Sequence, residues 1–513
     1  MRVAAAASGQ AGWDAAGAAG EVRAFLLAHA AVELWEGGRR VARLEGERSG
    51  YGLSGEAGRL VCHFWSADAN LVRRVVGIAT QGTGRLRLQC LRLGQSQPSP
   101  LVLVAGAGGG AASDAGSRRE EFRLAVMAAA ERDWHGWRCE AAQGGAASGR
   151  SGVQKLVFRR QQGLVPCVAV DEEEHAGAVG AALAQALVWA EQVRQRWPRG
   201  VVKAVRLVLP PGAEEAIGRL RSCLRAAPPI ECYRLDRAAG ALELAAASDT
   251  GNFVSSLKRA PSLEAPTGAG AALLAEIREY CPQATWETGP DGAGRARVYG
   301  LEIVREATGA EALAAPFTFG CGREQSPLLE ATRLLFLRFL RDVAEQRVAG
   351  RDRRFPLYAL QPEGWMEHLL RSDPRALDAQ VDPRSVYAQV PVSGPGPRDV
   401  LDLLAVDRDG RLLVWELKAD EDLGFPLQAL DYWRQVRRHQ RAGDFERLGY
   451  FPGVALSPLP PRLWLVAPAL RWHPQTELLG RWIAPEVPWT RLGLNEEWRH
   501  GIQVVYRKDV VHG

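Results

Sequence analysis

The chain has 513 residues, too many for one ordinary hydrophobic core, so about three or four domains are expected. Its 64 Lys and Arg against 59 Asp and Glu leave a net charge of only +5, which excludes a uniformly basic surface; affinity for a polyanion must come from local clusters. Eight cysteines lie scattered without a Cys-x-x-Cys pair, and no run reaches the ~18 apolar residues of a membrane helix, which argues against a disulfide scaffold, a structural zinc site and a helical anchor. Reduced thiols and a cytoplasmic setting are expected.

Residues 1–20 are Ala/Gly-rich without a basic start or a Leu-rich core, and read as a disordered leader. Residues 21–105 form a small β-rich module, with alternation in 58–65 and 85–93. Arg73, Arg74, Arg85, Arg87 and Arg92, with Trp65 nearby, either make a nucleic-acid face or are plain solvent-facing strand residues. Residues 106–117 read as a glycine-rich linker. In 118–245 an apolar strand, Leu164–Val170, is followed by Glu172–Glu174, a solvated acidic run. A helix through Gln185-Ala-Leu-Val-Trp189-Ala-Glu-Gln-Val193 and a strand ending at Pro210 come next. Residues 246–350 read as linker and helical/α/β connector, with helices over 270–281 and 326–348.

The last region, 351–513, carries the chemistry. Pro362-Glu363-Gly-Trp-Met-Glu367 opens a helix with both acids on one face. The stretch from Asp402 to Lys418 is a hairpin: two apolar runs flank Asp407-Arg408-Asp409-Gly410, a type I turn with Gly410 left-handed. Pairing Asp407 with Arg411 sets Asp402 opposite Glu416, and Lys418 follows on the same face. Only five residues of the chain are lysines, so an ammonium here stands out; it can serve a water or phosphate as a point charge. Hard oxygen donors without His or Cys suit Mg²⁺ or Mn²⁺ rather than zinc. A helix follows, with Pro426 in its first turn and Gly443 past its end. Gln428, Tyr432, Gln435 and His439 share one face; Arg434, Arg437, Arg438 and Arg441 occupy another, suited to phosphates.

Asp402, Glu416-Leu417-Lys418 and Gln428-Ala-Leu-Asp-Tyr432 together resemble the PD-(D/E)XK nuclease superfamily, nearest its NucS-like and RecB-like branches. The resemblance covers roughly 350–510. It implies a restriction-endonuclease-like mixed sheet flanked by helices, Mg²⁺ (or Mn²⁺) held by Asp402 and Glu416, and Lys418 serving the attacking water. It also implies a further acid from the preceding helix, Glu363 or Glu367, with Glu363 preferred as a metal ligand, and DNA contacts from Gln428 and Tyr432. Gln435, Arg434, Arg438 and His439 extend that DNA-facing set. Leu401 stands where the family has proline.

Gln185-Ala-Leu-Val-Trp189-Ala-Glu-Gln-Val193 parallels Gln428-Ala-Leu-Asp-Tyr432-Trp-Arg-Gln-Val436, and Ala204–Pro210 parallels Arg462–Pro468. Residues 118–245 are therefore expected to be a degenerate nuclease-like repeat, with Ala169 and Asp171 where Glu416 and Lys418 would be. The whole reads as an α/β multidomain, metal-dependent DNA endonuclease acting on branched, mismatched or single-stranded DNA. The alternatives are a non-catalytic nucleic-acid-binding scaffold and a restriction-type endonuclease. A homodimer would supply the two sites that cutting both strands needs.

Overall fold

The computed structural model describes residues 14–509 except 30, 37–38, 46–49, 57–58, 67–68, 81–83, 92–97, 106–110, 144–152, 173, 175, 246–255, 261–265, 290–291, 309–314, 322–324, 352–354 and 394–399. The chain divides into two units, Met1–Ser113 with Pro261–Trp365, and Asp114–Ala260 with Met366–Gly513. It is an α/β multidomain protein of mixed and antiparallel sheets with helices. No helix among the described residues is long and apolar enough to cross a membrane.

In the first unit, seven antiparallel strands order as Arg39–Glu45, Ala31–Glu36, Ser99–Ala105, Arg85–Leu91, Ala69–Thr80, Arg59–Ser66 and Gly50–Glu56. Against them packs a helix, Ala15–Ala28, through Ala15, Ala18, Val22 and Leu26. Asp14 caps it by accepting the Gly17 N–H at 2.8 Å. Residues 14–20 are thus folded, against the expectation of a disordered leader: alanine favours helix, and the stripe has a core to enter. Residues 1–13 lie outside the described residues.

Arg74 and Arg85 are exposed and Arg87 half-buried, but Arg73 shares the inward parity of Leu71 and Val75. It lies in the core and pairs with buried Glu36 at 2.8 Å, so it cannot belong to a nucleic-acid face. Arg92 and the Trp65 side chain lie outside the described residues. The expected connector is a packed module in its own right. Its five-stranded antiparallel sheet and two helices, Gly268–Tyr280 and Arg333–Gln346, bury Leu274, Ile277, Ile303, Phe319, Phe336 and Leu340 together. The second helix begins at Arg333 rather than 326 because Ser326–Pro327 pairs as a strand with Thr318–Phe319.

The second unit is built twice over. Its first half runs α1 (Ala111–Asp133), β1 (Arg138–Gln143), β2 (Val153–Arg160), β3 (Gly163–Val170), α2 (Ala176–Arg196), β4 (Val205–Val208), α3 (Ala213–Leu220), β5 (Ile230–Asp236), β6 (Ala241–Leu244). Residues 111–117, expected in a linker, belong to α1; residues 106–110 lie outside the described residues. Its second half runs α4 (Pro362–Ser372), β7 (Val381–Ser393), β8 (Val400–Asp407), β9 (Leu412–Leu417), α5 (Phe425–Arg441), β10 (Arg462–Pro468), α6 (Thr476–Gly480), β11 (Trp489–Leu494), β12 (Val504–Asp509). The unit division falls within α1, after Ser113, and within α4, after Trp365.

Both sheets order these strands in sequence, β1 to β6 and β7 to β12; a two-residue strand adds to each, Val201–Val202 parallel to β3 and Ser256–Leu257 antiparallel at the edge beside β7. In each, the first three strands are antiparallel neighbours, the third, fourth and fifth are parallel, and the sixth is antiparallel. A long helix makes the first parallel crossover and a short one the second, as parallel pairing demands. Equivalent residues follow from matching bonds. The Val205 N–H donates to Pro229 O at 2.8 Å, and the Leu463 N–H to Pro488 O at 2.9 Å.

The halves meet as the two sides of a two-fold axis do. Helix α2 contacts α6, and reciprocally α5 contacts α3. Leu224 bridges Ile483, each six residues before the start of its strand, β5 or β11. Around that pair the Ala484 N–H donates to Cys223 O at 2.9 Å and the Arg225 N–H to Trp482 O at 2.8 Å. These bonds exchange when the halves are exchanged, which defines an isologous contact. One apolar cluster runs through both halves, from Leu187, Trp189 and Leu207 to Leu404, Leu430 and Leu465. Ile483 is fully buried at the axis. Replacing it with alanine is expected to cost about 2–5 kcal/mol. Hydrogen exchange should then quicken in residues 153–170 as well as 412–417; loosening confined to 462–494 would show that the halves do not share a core.

Candidate active site

The site is set by a register. Gly410 closes the β8–β9 turn at φ +74°, and a Cβ there would meet Ala455 O at 2.1 Å, so only glycine fits. Asp407 Oδ1 accepts the Asp409 N–H at 3.0 Å and the Arg411 N–H at 2.9 Å, and the Asp407 N–H donates to Arg411 O at 3.0 Å. From this closure the ladder runs to Leu403↔Trp415, which brings Asp402 level with Glu416. There a side chain takes over from the ladder: Asp402 Oδ2 accepts the Leu417 N–H at 2.9 Å.

Glu416 is 1% exposed and pairs across β10 with Leu465. The Lys418 Nζ lies 4.0 Å from Glu416 Oε1, and its backbone N–H donates to Val466 O at 3.0 Å. A carboxylate so deep in apolar strands is costly without a cation beside it, and the ammonium supplies one. Trp415 and Trp464 stack at 5.5 Å on the opposite face and back the strand ends.

On the other side of Asp402 stands Gln389, between the pairs Ala388↔Leu403 and Val390↔Leu401. It holds a left-handed φ of +49° and donates to Glu367 Oε2 at 2.5 Å. Glu367, buried on α4, is thus tied to the strand residue flanking Asp402; Glu363 falls in the first turn of α4, which belongs to the first unit. Among the described residues no three Asp, Glu, His or Cys side chains gather closely enough to hold a metal. Mg²⁺ does not require three: it commonly keeps several waters and takes one or two carboxylates. Asp402 and Glu416 fit that demand.

Helix α5 opens with Asp422 Oδ1 accepting the Gly424 N–H at 2.7 Å and Pro426 in its first turn. Gln428 is half-buried and Tyr432 is buried in the shared core. Gln435 is buried and donates weakly to Asp431 at 3.4 Å; Arg434 donates to the same carboxylate at 3.1 Å. His439 is buried against Asp444, Nδ1 to Oδ2 at 2.5 Å. The face expected to meet nucleic acid is therefore largely the face that packs on the sheet; Arg438 is exposed, and Gln428 and Arg434 keep partial surface. Sequence reading missed Asp431 and Gln389. The first had a signal, an acid three residues before Arg434; the second owes its place to a bend in β7.

The equivalent row in the first half has different chemistry. Across β7, β8, β9, β10 and β11 stand Gln389, Asp402, Glu416, Leu465 and Arg491. Across β1 to β5 stand Gln143, Lys155, Val168, Leu207 and Cys232. Val168 and Val170, not Ala169 and Asp171, occupy the places of Glu416 and Lys418; Ala169 faces the other core cluster. Lys155 takes the place of Asp402, with its Nζ 5.9 Å from the ring centre of Trp189, and burial holds its pKa down. Asp171 is paired with Arg237, and Glu174 with Arg119 at 2.5 Å, while Glu173 lies outside the described residues.

No family model matches the chain, and no curated protein matches it either. The hydrogen bond from His439, then that from Arg447, holds the Asp444 carboxyl below its usual range. A depressed carboxyl stabilises the fold above its unfolded pKa and loses that contribution as pH falls through the folded value. Asp444→Asn should therefore lower stability at neutral pH and flatten the acid limb of a denaturation curve; an unchanged limb would dismiss the pairing.

Proposed function

We propose that the chain is a Mg²⁺-dependent deoxyribonuclease that hydrolyses phosphodiester bonds at Asp402, Glu416 and Lys418. The observation that carries this reading is the row itself: two carboxylates level on neighbouring strands, with an ammonium 4.0 Å from one of them. Asp402 and Glu416 would hold the ion, which supplies Lewis acidity toward a phosphoryl oxygen and lowers the pKa of a bound water. Lys418 orients the attacking water and offsets charge that develops on the phosphoryl oxygens, a task for a compact, mobile point charge.

The supporting residues divide the remaining work. Glu367, through Gln389, holds the β7 backbone beside Asp402 and is the better placed of the two helix acids. Gln428, at the open edge of α5, is the polar group suited to a substrate phosphate or sugar, and Arg438 gives an exposed cation further along. Tyr432 contributes a buried wall. The substrates are branched, mismatched or single-stranded DNA, and the setting is cytoplasmic: all eight cysteines are free thiols, seven of them buried, with burial pushing Cys62, Cys167 and Cys321 up to about 12.

Cleavage of labelled single-stranded, duplex, flap and mismatched DNA tests the reading. Cutting should require Mg²⁺ or Mn²⁺, stop with EDTA, and fall by roughly 10²-fold or more in Glu416→Ala and in Lys418→Ala. Cutting that survives both substitutions would take the chemistry away from this row, and binding without cutting on every substrate would favour a non-catalytic DNA-binding protein.

A further inference from the structure

We propose that this chain nicks one strand of a duplex per encounter, because it is an internal dimer with one working site and one abolished site. The inference rests on the nuclease reading. Its own support is the two-fold contact and the chemistry of the two equivalent rows.

A duplex presents two antiparallel strands related by two-fold axes, and an isologous pair of sites matches that symmetry. Here both members of the pair lie in one chain. The surfaces through which either half could meet a second copy in this way, α2 with α3 and α5 with α6, are occupied by each other, with Leu224 and Ile483 on the axis. A second chain cannot use the same surface to bring in a second working site.

The first half then has nothing to cut with. Where the second half has Asp402, Glu416, Lys418 and Tyr432, the first has Lys155, Val168, Val170 and Trp189. An acceptor has become a cation, so a divalent ion would meet repulsion instead of a ligand. The Lys155 stem and the Trp189 ring fill the space with a cation–π contact, and the Trp189 Nε1–H is spent on Leu156 O at 2.8 Å. The change removes both carboxylates and the ammonium together while leaving the strand order intact.

In the working half, a water oxygen forms a bond to phosphorus while the bond from phosphorus to one sugar oxygen breaks. That sugar oxygen takes a proton and leaves as a hydroxyl, and the other side keeps a phosphate monoester. The opposite strand stays whole because no equivalent group stands against it.

The test uses the full chain on duplexes, flaps and mismatched duplexes whose strands carry different fluorophores, with substrate in excess and Mg²⁺ or Mn²⁺ present. Early product should show one label shortened on a denaturing gel while native gels keep the duplex intact. Lys155→Ala should nick like the wild type, and Glu416→Gln should lose nicking. Early double-strand breaks, with both labels shortened together, would overturn the inference and leave the nuclease reading standing. Loss of nicking in a folded Lys155→Ala would also overturn it, since the first pocket would then take part. No cleavage of any substrate would remove the nuclease reading and this inference with it.

Discussion

Period-two alternation along a strand makes a catalytic constellation on a hairpin depend on its turn. If the β8–β9 ladder slipped by one residue, Asp402 would turn to the opposite face and Glu416 would face Leu403 or Leu401. Gly410 prevents this. Its left-handed backbone and the closeness of Ala455 O admit no side chain, and Asp407 ties the loop with two further hydrogen bonds. The alignment of Asp402 with Glu416 therefore hangs on a turn at the far end of the strands, and the apolar residues between transmit it because they are buried on both faces.

The same sheet plan, used twice, explains why so deep a carboxylate is tolerated on one side and absent on the other. Both halves need the third strand to be apolar, since it is buried on both faces between an antiparallel and a parallel neighbour. The first half meets that need with Val168, Ala169 and Val170 at its strand end. The second breaks the apolar run at Glu416 and sets Lys418 and Asp402 around it. A buried charge that costs stability persists where a function holds it. The contact through Leu224 and Ile483 joins the two halves, and one apolar cluster runs through both.

Much of this was legible in the residues. The turn chemistry of Asp407–Gly410, the ordering of Asp402, Glu416 and Lys418, and the likeness of the helices from Gln185 and Gln428 are local patterns that survive folding. Registers between distant strands are not local. Reading the first half's row from sequence selected Ala169 and Asp171, whereas the pairing of β3 with β4 selects Val168 and Val170. The helical face of Gln435 and His439 was visible as a face, but spacing alone does not say whether a face meets solvent or sheet. Arg73 failed for a related reason: it adjoins the exposed Arg74 in sequence, yet its parity is that of Leu71 and Val75. The two-fold contact, carried by backbone groups of Cys223, Arg225, Trp482 and Ala484, has no signature in side-chain types.

The claim that matters most is that Asp402 and Glu416 form a divalent-cation site. Titration of the apo chain with Mn²⁺, followed by the loss of the free-ion electron paramagnetic resonance signal, measures it without any substrate. Saturable binding in the wild type that is lost in Asp402→Asn and in Glu416→Gln, but kept in Glu363→Gln, is the predicted result. Binding that is unchanged in both site variants would contradict the account.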